Sequence, residues 1–150
     1  MIVVSNASPL IALERIQCQE LLCNLFGRIF IPPAVRREVF GTKPLPNWIA
    51  EKQPTLPFHP SKDLGKGETE AIALALELKA DWLLMDDLDG RKEALRSGLT
   101  VMGTIGILIR AKREGVIAEL KPLLDKLEAT GFYFGQNLRL IALQAVGEFP

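Results

Sequence analysis

The sequence predicts an α/β domain whose parallel sheet is covered by helices on both faces. Two observations carry that expectation. Short apolar runs of strand length (Ile2–Val4, Arg28–Ile31, Trp82–Met85 and Leu99–Met102) alternate with longer segments whose apolar residues repeat at helical spacing. Strands separated by helices pair in parallel through crossovers, which bring helices to both faces. The length fits as well: 150 residues with 48% apolar content can build one domain with a sizeable core. No repeat, low-complexity tract or long linker divides the chain, so residues 1–150 are expected to form a single domain.

Taken in order, Ile2–Val4 is apolar and β-branched, as a strand buried on both faces requires. Ser8 suits an N-cap and Pro9 a first helical turn, ahead of an apolar stripe from Leu10 to Ile16. A second helix is expected over Gln19–Phe26. A strand follows over Arg28–Ile31, closed by Pro32 and Pro33. Ala34–Phe40 resumes as a helix with Glu38 in its second turn. Residues 41–64 are irregular, with prolines at 44, 46, 54, 57 and 60 and one short helix around Asn47–Lys52. Glu68–Lys79 reads as a helix that is apolar on nearly every side and therefore buried. Trp82–Met85 is the next strand, with Asp86-Asp87-Leu88-Asp89-Gly90 as the turn at its carboxyl end. Arg91–Ser97 is a helix stopped by Gly98, Leu99–Met102 a strand, and Thr104–Arg113 a helix ended by Gly115. Val116–Ala129 reads as a helix that Pro122 kinks or restarts. Gly131–Gly135 turns into a last helix, Leu138–Val146, whose apolar residues fit either the core or a dimer interface.

Lys and Arg together number 18, as do Asp and Glu, so the net charge is zero. That excludes a protein coating nucleic acid by bulk charge but leaves room for a local basic patch. Cys18 and Cys23 lack the paired spacing of a zinc site and are expected as buried free thiols. The chain enters a strand at once, without a basic leader or a long apolar run. No signal peptide or membrane span is expected, and the location should be cytoplasmic.

The acids carry the functional expectation. In open α/β sheets, ligands bind at the carboxyl ends of the strands, near the point where strand order reverses. Asn6 follows the first strand, and Asp86, Asp87 and Asp89 follow a later one. Glu38 lies on the helix after the second strand, and Glu68 opens the long helix. Oxygen donors gathered at such an edge hold Mg²⁺ or Mn²⁺ for phosphodiester chemistry. Singly, each acid has a structural explanation. Glu68 suits a helix dipole, and Asp89-Gly90 is turn chemistry. Glu70 falls on another helix face and is expected in solvent. An EF-hand is excluded, because Met85 and Arg96 would occupy its first and last ligand positions. Gly65-Lys66-Gly67-Glu68-Thr69 lacks the order of a phosphate loop, and His59 has no catalytic companions. Arg36, Arg37, Lys62, Lys66, Arg91 and Lys92 neighbour the acidic segments and together could grip a phosphate backbone.

Five segments in sequence order resemble the PIN-domain family, in particular its VapC-like branch of small single-domain proteins. They are Val3-Val4-Ser5-Asn6-Ala7-Ser8-Pro9-Leu10-Ile11, Ile31-Pro32-Pro33-Ala34-Val35-Arg36-Arg37-Glu38, and the Gly65 to Ala75 helix opening with Gly67-Glu68. Leu83-Leu84-Met85-Asp86-Asp87 with Gly90-Arg91 is the fourth, and Gly98-Leu99 with Gly103-Thr104-Ile105-Gly106 and Gly131-Phe132 continues the likeness. The resemblance implies a three-layer α/β/α sandwich around a central parallel sheet. It also implies a metal-dependent endoribonuclease, many members being toxins of toxin–antitoxin pairs. On it, Glu38, Glu68, Asp86 and Asp89 are the catalytic acids, and Asn6 joins them in holding Mg²⁺ or Mn²⁺. Ser8, Lys66 and Arg91 would contact the substrate. RNA is the implied substrate; a small antitoxin protein and a second copy of the chain are the implied partners. The chain departs from the family pattern at Asn6, where the first acid is expected. An amide oxygen can ligate a cation but brings no charge. The alternative is therefore a catalytically weakened or inactive module that binds RNA or protein.

Overall fold

The computed structural model describes residues 1–149. Its elements run β1 (Val3–Ser5), α1 (Ala7–Arg15), α2 (Leu21–Phe26), β2 (Ile29–Ile31), α3 (Pro33–Phe40), β3 (Ile49–Glu51) and α4 (Lys66–Leu78). They continue with β4 (Trp82–Leu84), α5 (Leu88–Arg96), β5 (Val101–Met102), α6 (Thr104–Arg113), α7 (Lys121–Ala129) and α8 (Gln136–Ala145). The five strands form one parallel sheet in the order β3-β2-β1-β4-β5. The chain winds outward from β1 to β3, then crosses back to β4 and on to β5. The reversal falls between β1 and β4, which pair Val3 with Trp82, Val4 with Leu83 and Ser5 with Leu84.

Side chains alternate across a strand, so each central strand feeds two cores. Val3 and Leu84 pack with Leu10, Leu13, Leu22, Ile107, Leu108, Leu124 and Leu143 on one face. Val4, Leu83 and Met85 pack with Ala71, Ile72, Leu74, Ala75 and Ala94 on the other. These are the three layers the resemblance implies. Among the described residues, no helix is long and apolar enough to cross a membrane.

Several features differ from expectation. Asn6 N–H still pairs with Leu84 O at 2.9 Å, so β1 gives way to helix without a spacer. Asn6 is the N-cap of α1, and Ser8 lies inside the first turn. The expected helix at Asn47–Lys52 is instead the strand β3. A few residues between prolines cannot offset helix nucleation, whereas the edge of β2 offers ready partners: Ile29 N–H bonds Trp48 O and Lys52 N–H bonds Ile31 O. The helix expected from Val116 begins only at Lys121, with Pro122 in its first turn, where its missing N–H costs nothing. Finally, α4 is not buried all round: Ala71, Ile72, Leu74 and Ala75 are buried, while Ala73, Leu76 and Leu78 are half-buried. Cys18 and Cys23 are free and half-buried.

Candidate active site

The carboxyl ends of β1 and β4 open into a cleft of about 1060 Å³. Asn6 and Ser8 line it from the β1–α1 junction, Glu38 from α3, Glu68 from α4, Asp86 from the end of β4, and Asp87 and Arg91 from α5. The start of α6 completes that end of the cleft with Gly103 and Ile105.

Asn6 is 4% exposed, and although asparagine is a favoured N-cap, its side chain does not cap α1. Its oxygen turns toward α4 instead. A Cβ on Gly67 would stand 3.3 Å from Asn6 Oδ1 and 3.7 Å from Glu38 Oε1, so the two oxygens face one point kept clear by glycine. Glu38 is carried by α3, whose first turn holds Pro32 and Pro33 and has no cap of its own. Glu70 supplies one: its Oε1 accepts from Ala34 N–H at 3.0 Å across the α3–α4 contact. Glu70 is thus a structural acid, not the solvated one expected from its helix face. Glu68 sits in the first turn of α4, near the positive end of the helix dipole. Its carboxylate folds back over Gly65, where a Cβ would meet Oε2 at 2.6 Å.

Asp86 is the most tightly held donor. Oδ1 accepts from Thr104 N–H at 2.7 Å. Oδ2 accepts from the Thr104 hydroxyl at 2.7 Å and the Ser8 hydroxyl at 3.2 Å. The N-cap of α6 is Gly103, which has no side chain to offer, so Asp86 caps α6 from the neighbouring strand. A Cβ on Gly103 would lie 2.7 Å from Arg91 Nη1 and 2.9 Å from Asp86 Oδ1, which reserves that position for glycine. Asp87 caps α5 by accepting Gly90 N–H at 2.7 Å. That cap starts the helix at Leu88, so the expected acidic turn is partly its first turn.

Two expected residues stand apart. Asp89 pairs with Lys62 at 3.1 Å, and Lys66 with Glu70 at 3.9 Å; neither lines the cleft. Thr104, expected from the sequence only as a helix start, instead holds Asp86 through its N–H and hydroxyl. Its place after β5, at the same sheet edge as Asp86, was the available signal that its hydroxyl could meet that acid.

The donors are hard oxygens, the kind Mg²⁺ and Mn²⁺ prefer. Among the described residues, no three His, Cys, Asp or Glu side chains form a ready-made metal cluster. The donors instead reach the cleft from separate elements. Glu38, Glu68, Asp86 and Arg91 take no ion-pair partner among the described residues. Along the whole cleft, five carboxylates (Glu38, Glu68, Asp86, Asp87 and Glu114) face three guanidiniums (Arg91, Arg110 and Arg113). The acids outnumber the guanidiniums, so the residues present suit a divalent cation in donor type and in the sign of their charge.

A family model described as a PIN domain matches residues 2–148. PIN domains are generally nucleases that use a divalent metal, and the family points to RNA as what is bound. No curated protein and no solved structure gives a significant match to the chain.

Proposed function

This chain belongs to the PIN-domain family, and on that premise we propose that it is a metal-dependent endoribonuclease. On this reading it is the toxin of a toxin–antitoxin pair, a cytoplasmic homodimer silenced by a small antitoxin protein. The observation that carries the nuclease reading is the convergence of Asn6, Glu38, Glu68 and Asp86 on one cleft, beside an Arg91 that no carboxylate holds among the described residues.

Glu68 and Asp86 are the anionic ligands for Mg²⁺ or Mn²⁺, Asn6 adds an uncharged oxygen, and Glu38 orients water. When bound, the cation supplies positive charge for the phosphate and acidity for a water molecule. Asp86 needs no rearrangement to serve, because Thr104 and Ser8 already fix its oxygens. Arg91 offers its planar fork to a phosphate of the strand. Asp87 lines the cleft and is better placed to support the ligands than Asp89, which stands outside it, paired with Lys62.

Asn6 favours a second reading. Without the first acid the site is one charge short, which suits a weakened nuclease or a module that only binds RNA or protein. The test is cleavage of a mixed tRNA and mRNA pool by the purified protein with Mn²⁺, beside Asp86→Asn. Cleavage that disappears in the variant supports the nuclease. If neither cleaves, the nuclease reading is lost, and Asn6→Asp then separates a lapsed enzyme that regains activity from a module that does not. Melting gives a readout free of activity: Mn²⁺ should raise the Tm of the wild type and not that of Asp86→Asn.

A further inference from the structure

The cleft does not end at the acids. It continues past Ile105, Ile109 and Arg113 of α6 to the loop between α7 and α8. That loop is Gly131-Phe132-Tyr133-Phe134-Gly135, and both glycines lie at positive φ (91° and 75°). Phe132 and Phe134 are half-buried against the core, with ring centroids 6.3 Å apart. Tyr133, between them in sequence, is 91% exposed, its hydroxyl 3.7 Å from where a Cβ on Gly135 would stand. A second hollow of about 300 Å³, lined by the same three aromatics with Glu128 and Gln136, opens beside the loop.

A ring held almost wholly in water by a glycine-bracketed turn offers an open face on which a second ring can stack. The cleft's charges say which kind. Arg91 at the acid end and Arg113 along α6 take no carboxylate partner among the described residues, and Arg113 is held only by the Ala145 carbonyl at 3.3 Å. Arg110 is already paired with Glu114. Guanidiniums spaced along a groove that ends on an open aromatic face match single-stranded nucleic acid, with phosphates on the cations and a base on the ring. A duplex keeps its base faces stacked inside and has none to offer.

We propose that Tyr133 is a base-stacking platform, and that the cleft takes single-stranded RNA running from the acids to the Gly131–Gly135 loop. This rests on the nuclease reading for the identity of the strand, not for the stacking contact itself. Stacking uses the ring, so the hydroxyl is dispensable.

The test is equilibrium binding, by anisotropy with Mn²⁺, of end-labelled oligoadenylate of about ten nucleotides and of an abasic strand of equal length, with strand integrity checked on a gel. The wild type should prefer the strand with bases by about tenfold. Tyr133→Ala, at an exposed position, should lose that preference, and Tyr133→Phe should keep it. Equal binding of both strands by the wild type, or an undiminished preference in Tyr133→Ala, would overturn the proposal. A Tyr133→Ala protein that binds RNA normally but shifts from dimer to monomer on sedimentation would overturn it in favour of a protein partner, a role the nearby exposed Leu138 and Ile141 could share. A base preference without any cleavage would leave the platform standing and remove the nuclease. Cleavage without base preference would do the reverse.

Discussion

Acids serve two different ends in this molecule. In the α7–α8 hairpin, Asp125 and Glu128 both bond Arg139, which is only 8% exposed. Elsewhere Glu93 accepts from the Ser61 N–H and hydroxyl and pairs with Arg96, and Glu148 accepts from the N–H groups of Leu120 and Lys121 and pairs with Lys112. Each of these carboxylates ties one segment to another. At the switch point the arrangement is the opposite: among the described residues, Glu38 and Glu68 have no cation closed upon them, and Asp86 is held by neutral donors alone. The chemistry of the groups is the same in both regions. What separates a fastening from a candidate site is whether positive charge has already been supplied by the protein.

The sharpest way to break that contrast is Asp86→Asn. Outer-shell partners of a metal typically cost about 10–100-fold when removed, so a direct ligand should cost at least about a hundredfold in cleavage, read on the RNA pool. Next comes Gly103→Ala. Its Cβ would press on Asp86 Oδ1, which Thr104 holds, and on Arg91, whose end can move. We expect roughly a tenfold loss of cleavage, in line with the cost of sub-ångström misplacement, and a smaller Mn²⁺-induced rise in Tm.

A third test sharpens the other half of the comparison. The bond from Arg139 holds the Asp125 carboxyl below its ordinary value of 3.8. A depressed folded value means the contribution is fully present above the unfolded value and is lost as pH falls through the folded one. Melting of the wild type should therefore drop by a few degrees as pH falls below about 3.8. Arg139→Met should flatten that part of the profile, and equal slopes in the two proteins would remove the hairpin from the acid response. The smallest effect is expected from Asp89→Asn. Its pair with Lys62 is exposed on both sides, and such pairs contribute little. Cleavage should change by less than about twofold; a loss like that of Asp86→Asn would move the site outward onto α5.

Much of this was legible in the sequence for physical reasons. Strands such as Leu83-Leu84-Met85 are buried on both faces and so read as unbroken apolar runs. The acids after them fall at one sheet edge because all strands are parallel. What stayed hidden depends on contacts distant in sequence. Nothing local marks Thr104 as the residue that fixes Asp86, or Glu70 as the cap of α3, because each bond joins elements that only the crossovers bring together. Ile49–Glu51 misled for the same reason: its strand character comes from the edge of β2, not from its own residues.

The pairing of β1 with β4 also has a consequence in time. Ser8 and Asp86 meet across a sequence separation of 78, and Thr104 lies later still. On the ribosome, Thr104 follows Asn6 by roughly 5–20 s at ordinary elongation rates. Until β4 is made, β2 is the only neighbour β1 can have, and the emerging chain carries its acids scattered. The cleft is assembled by the last strands to be made, so synthesis itself delays the moment at which this protein could first meet a metal or an RNA.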